Sequence, residues 1–99
     1  MSENRTIRFT QDASIELEAG VRWYEEQRRG LGSDFMLSVE ASLGAIQRTP
    51  LMFPVIHRDV RRAMVKRFPY GLLFRVQTDS IDIISVFHFK RSPRSVCAK

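Results

Sequence analysis

The 99-residue chain has a single cysteine, Cys97, and only two histidines, His57 and His88. A disulfide framework is excluded, and no His/Cys pair has the spacing of a zinc site, so neither a metal nor another cofactor is expected. Cys97 lies so near the C-terminal end that a nucleophile there would lack a rigid general base. Long apolar runs are missing too. Leu72-Leu73-Phe74 is typical of the longest, far short of the roughly 20 residues that a membrane helix needs. The opening MSENRTIRFTQ has no secretory signal character, so a cytoplasmic protein with no membrane partner is expected. Internal repeats, low-complexity tracts and linkers are absent, which predicts one domain over residues 1–99 with a core of about 5–94 and a short tail. Gly30-Leu31-Gly32 follows a helical pattern rather than a strand and lacks a third glycine, which excludes a nucleotide loop. The neighbouring carboxylates Glu25 and Glu26 fall on an exposed helix face and read as solvated charges.

What is present is a globular composition with an uneven charge. The content is 43% hydrophobic and 27% charged, which argues against disorder. Residues 1–54 hold six Lys/Arg and eight Asp/Glu, whereas residues 55–99 hold ten and three. A basic half joined to a slightly acidic one suits a polyanion or an acidic protein, or else a solvated basic surface kept for solubility.

The periodicities predict an α+β fold in the order β-α-α-β-β-β. A short strand over Arg5–Thr10 alternates Ile7 and Phe9 with Arg8 and Thr10. Asp12 is the expected N-cap of a helix running to Arg29 and stopping at Gly30. Ala13, Leu17, Val21 and Tyr24 form one apolar stripe on it; Ile15, Ala19 and Trp23 form another, roughly 140° away. Ser33 is the expected cap of a second helix that carries Phe35, Met36, Val39, Leu43 and Ile46 and ends at Thr49-Pro50. The short link forces an antiparallel helical hairpin. Leu51–Pro54 reads as a loop, and strands are expected near Val60–Arg67, Leu72–Gln77 and Ile81–Phe89.

A tight turn near Thr78-Asp79 sets Arg75 opposite Asp82. Leu72, Phe74, Val76, Ile81, Ile83, Phe87 and Phe89 then share the core face, and Leu73, Arg75, Gln77, Asp82, Ile84, Val86 and His88 share the other. A Phe68–Gly71 turn adds Ala63 and Val65 to the core face and Arg62, Met64 and Lys66 to its reverse, with Arg67 awkward at the core margin. The first strand is placed parallel to the last. The expected architecture is an antiparallel helical hairpin packed on one face of a mostly antiparallel four-stranded sheet.

Two constellations carry candidate function. Arg75, Lys66 and Lys90 with His88 have the parts of a metal-free ribonuclease: cations for a phosphorane and a group that moves protons near neutral pH. The competing reading makes Arg75 the cross-strand ion-pair partner of Asp82 and His88 a structural residue. The Ile15–Ala19–Trp23 stripe is either packed within the hairpin or an exposed anchor for a partner.

The chain resembles the RelE/ParE superfamily of toxins from type II toxin–antitoxin modules. The likeness is carried by WYEEQRRGLGSDF at 23–35, TPLMFPVIHRDVRRAMVKRFPYGLLFRV at 49–76 and VFHFKRSPR at 86–94, in that order over about residues 7–94. The resemblance implies a toxin restrained by a cognate antitoxin, which contacts operator DNA on behalf of both. The RRxxxxRFPY-like strand and the VFHxxRxP-like ending are most similar to the ParE branch, whose members poison DNA gyrase and perform no chemistry themselves. On that reading Lys90, Arg91 and Arg94 face the target, and Ile15, Ala19, Trp23, Arg62 and Lys66 face the antitoxin. The RelE branch implies instead a ribosome-dependent mRNA endonuclease built on Arg75, His88, Lys66 and Lys90, although Phe89 stands where a hydroxyl would serve that chemistry. A toxin retained only for operon autoregulation is the third reading.

Overall fold

A computed structural model describes residues 5–90; the expectations for Arg91, Arg94 and Cys97 lie outside them. Strand β1 (Thr6–Phe9) leads into helices α1 (Gln11–Gln27) and α2 (Leu31–Arg48). A 3-10 turn at Pro50–Met52 follows, then β2 (Val55–His57), β3 (Val60–Met64), β4 (Tyr70–Val76) and β5 (Ser80–His88). The sheet order is β1-β5-β4-β3-β2, with β1 parallel to β5 and every other pair antiparallel. The sheet thus has five strands rather than four. The additional β2 is three exposed residues that turn into β3 through Arg58, whose φ of 53° is left-handed.

Both helix starts differ from the sequence expectation. Thr10, not Asp12, caps α1, its hydroxyl accepting the Ala13 N–H at 3.1 Å. α1 ends at Gln27 rather than Arg29, and α2 begins two residues before Ser33, with left-handed Gly30 at its N-cap. The cap for α2 comes from the other helix. The Glu25 carboxylate accepts the Gly30 N–H at 3.0 and 3.1 Å and the Gly32 N–H at 3.0 Å. Glu25 is therefore a structural anchor and not merely a solvated charge, and these donors hold its carboxyl below the ordinary glutamate range. Gly32 is required by the same crossing: a Cβ there would stand 2.8 Å from the Val21 carbonyl oxygen.

The core lies between the hairpin and one sheet face. Ala13 and Tyr24 of α1 and Phe35, Val39 and Ile46 of α2 meet Ala63, Leu72, Phe74, Ile81 and Ile83, with Leu17, Val21 and Leu43 packed at the margin. Tyr24, Phe35, Phe68 and Tyr70 form an aromatic knot with ring centroids 4.7 to 6.0 Å apart.

The register departs from continuous alternation at one point. Val76↔Ile81, Arg75↔Asp82 and Phe74↔Ile83 pair as expected, but beyond them Leu73 faces Ser85, Leu72 faces Val86, Gly71 faces Phe87 and Tyr70 faces His88. One surplus residue on β5 makes a bulge, and side chains after it change faces. Val86 joins the helix-facing core, whereas Phe87 joins Val60, Leu73 and Ile84 in a second apolar cluster on the reverse. Phe89 is 37% exposed instead of buried. The β3–β4 connection also differs: Met64 pairs with Gly71, and the turn is residues 65–69. Arg67 adopts φ 75° there, which lifts its side chain out of the core margin.

Candidate functional site

Besides its core stripe, α2 has a face of small residues turned toward the sheet edge. Ser38, Ala41, Ser42 and Ala45 recur at helical spacing between Leu37 and Arg48. With Phe53 from the loop and Ala63 and Met64 from β3, they line a groove of about 520 Å³. Short side chains on the helix leave this space, and Leu37 (64% exposed) and Met64 (45% exposed) give it apolar shoulders. Arg48, Lys66 and Arg67 form the charged part of the lining, which contains no carboxylate. The left-handed Arg67 holds its guanidinium carbon 5.6 Å from the Phe68 ring centroid. An apolar floor under a cationic rim suits an amphipathic segment with acidic flanks.

Sequence reasoning found Lys66 and missed the rest of this groove. The available signal was the Ser/Ala spacing that ends at Arg48, which a search for large apolar residues passes over.

Of the residues proposed for chemistry, Arg75 stands apart from His88. Arg75 lies on the sheet face away from the helices, where its Nε donates to Asp59 at 3.0 Å. This overturns the expected Arg75–Asp82 ion pair: the two are register neighbours, but Asp82 accepts the Ser80 hydroxyl at 2.9 Å and stands 3.7 Å from Arg8. The Arg75 hydrogen bond keeps the Asp59 carboxyl below its ordinary range. His88 is on the helix side, not beside Arg75, because the bulge reverses its face. Its ring meets Tyr70 edge-on at 5.1 Å, and its Nδ1 accepts the Lys90 backbone N–H at 3.2 Å. Lys66 stands at the groove. Lys90 adjoins His88, and the turn that carries Lys66 is joined to this end of β5 by the Phe89 N–H, which donates to the Pro69 carbonyl at 3.1 Å, so Arg75 alone stands on the opposite face.

The residues expected to face a partner are likewise split. Ile15, Ala19 and Trp23 are exposed on the outer side of α1, with Ile15 at 56% and Trp23 at 39%. The Trp23 ring packs edge-on to Tyr24 at 5.0 Å. Arg62 is exposed opposite Leu73 on the far sheet face. Among the described residues no cluster of three His, Cys, Asp or Glu could hold a metal, and no helix is long and apolar enough to cross a membrane.

This architecture is found in solved structures. A chain from the chromosomal ParDE TA system of P. aeruginosa superposes with a TM-score of 0.76 at 19% identity, covering 88% of this chain and 98% of that one. The two chains share one fold. A chain of the RelBE2 toxin–antitoxin complex from Mycobacterium tuberculosis shares it, with a TM-score of 0.59, 23% identity and coverage of 87% and 99%. The sequence matches no protein-family model and no curated protein. Within this shared fold, the groove of this chain opens between α2 and β3.

Proposed function

We propose that the protein is the toxin of a type II toxin–antitoxin module, that it acts as ParE-like toxins do by poisoning DNA gyrase, and that a cognate antitoxin neutralises it in the cytoplasm. The fold shared with the ParDE chain supports the module. The choice of target is supported by one observation: Arg75 lies on the opposite sheet face from His88 and is engaged by Asp59. A general base and the cations that stabilise a phosphorane must converge within hydrogen-bond reach of one phosphate. Arg75 and His88 on opposite faces favour a binding inhibitor over a nuclease that needs both at one phosphate.

The antitoxin is assigned to the groove between α2 and β3, with Lys66, Arg67 and Arg48 pairing to acidic side chains. The exposed Ile15–Ala19–Trp23 stripe gives the same partner a second apolar contact on α1. The segment from Lys90 through Arg91 to Arg94 is assigned to the target. Induction of the chain without its antitoxin tests the choice. DNA-damage signalling with intact messenger RNA is expected. Discrete cuts at codon positions, abolished by His88→Ala, would assign the protein to the ribosome-dependent nucleases instead.

A further inference from the structure

The surplus residue of β5 coincides with a carboxylate from α1. Glu16 Oε1 accepts the Val86 N–H at 2.7 Å and the Ser85 hydroxyl at 3.4 Å. Ser85 is completely buried, an unusual place for a hydroxyl at the centre of a sheet. Both contacts fall where the ladder changes register, between Phe74↔Ile83 and Leu73↔Ser85.

Two registers compete for the second half of β5. Continuous pairing would turn Phe87 and Phe89 toward the helices and send Val86 and His88 to the reverse face, which satisfies hydrophobic alternation well. The bulged pairing does the opposite and leaves Phe89 exposed. Apolar burial alone therefore does not select the observed state. Local polar accounting does: a bulge takes an amide out of regular pairing, and a buried N–H needs an acceptor. Glu16 is placed one helical turn before Gly20, where an added Cβ would stand 3.1 Å from the Tyr70 hydroxyl oxygen and 3.3 Å from its Cζ. Helix α1 thus packs closely enough on the sheet for its carboxylate to reach the β5 backbone.

We propose that Glu16 is the register lock of β5: by holding the Val86 N–H it selects the bulged pairing, and so fixes the sheet face on which His88 stands. This inference rests on the α1–β5 contacts and is independent of the proposed target.

Cross-strand proton contacts in the isotope-labelled full chain read the register directly. The wild type and Glu16→Gln, which keeps an acceptor, are expected to show Gly71 beside Phe87 and Tyr70 beside His88. The weaker acceptor is expected to speed Val86 amide exchange roughly tenfold. Glu16→Leu is expected to slip by one residue, bringing Gly71 beside Val86 and Tyr70 beside Phe87. Retention of the wild-type neighbours in Glu16→Leu overturns the proposal. Deleting Ser85 makes the alternation continuous while leaving Val86, Phe87 and His88 on their present faces. If Glu16→Leu does not fold, that deletion is expected to rescue it. Failure of the double variant, with the deletion alone folding normally, also overturns the lock.

Discussion

Replacing Gly71 by alanine discriminates between the two β5 registers through stability alone. Gly71 pairs with Phe87, and an added Cβ would stand 2.6 Å from Phe87 Cζ and 2.9 Å from Cε1. Comfortable carbon contacts are about 3.5–4.0 Å, so the ring must retreat by roughly 1 Å. Phe87 is 7% exposed and packs with Val60 and Leu73, so its retreat disturbs a filled cluster. Overpacking of this kind costs about 1–3 kcal/mol, offset by about 0.5–1 kcal/mol from replacing glycine in a strand. The net of about 1–2 kcal/mol corresponds to a Tm lowered by roughly 5–15 °C for a domain of this size. Thermal unfolding followed by circular dichroism measures it, and Phe87→Leu, which shortens the ring to a branched chain, is expected to recover part of the loss. In the continuous register Gly71 would face Val86, and alanine would only help. An unchanged or raised Tm in Gly71→Ala would therefore refute the bulged packing.

Further outcomes follow from the caps and the groove. Because Glu25 has a lowered carboxyl pKa in the folded chain, its contribution is complete above the ordinary glutamate value and fades as pH falls through the lowered one. The difference in urea midpoint between wild type and Glu25→Ala is thus expected at pH 7 and to shrink in acid; a difference that grows in acid would contradict the cap. Charge reversal of Lys66 and Arg67 to glutamate is expected to weaken antitoxin binding at least about tenfold by calorimetry while leaving growth arrest intact, since each lost charge pair at a partly desolvated rim is worth about 1 kcal/mol or more. Trp23→Ala is expected to weaken the same complex without altering the fold.

The hairpin and the strand order were legible in the sequence because they are written in large apolar residues at regular spacing. Ala13, Leu17, Val21 and Tyr24 face the core as the helical period requires. The parallel pairing of β1 with β5 follows from the two helices that separate the first strand from the others. What escaped is written in backbone groups and small side chains. The bulge depends on an N–H that a carboxylate 70 positions away accepts, and no alternation pattern records it. Both helix starts turn on which oxygen reaches a free amide: Thr10 and Glu25 do so here, while Asp12 and Ser33 lie inside the first turns. Strand β2 has three exposed residues and hence no buried face to reveal it. The groove is an absence of bulk on α2, visible only once β3 stands opposite.

The same distinction applies to the candidate site. Residue types alone grouped Arg75, His88 and Lys66, because basic residues on neighbouring strands suggest one surface. A single surplus residue in β5 turns His88 to the face opposite Arg75, and Asp59 engages Arg75 there.

The most direct test of the proposed activity is a supercoiling assay with purified gyrase, relaxed plasmid and the purified full chain. Inhibition or accumulation of cleaved plasmid is expected, reversed when an equimolar cognate antitoxin is added. Normal supercoiling at saturating protein would contradict it.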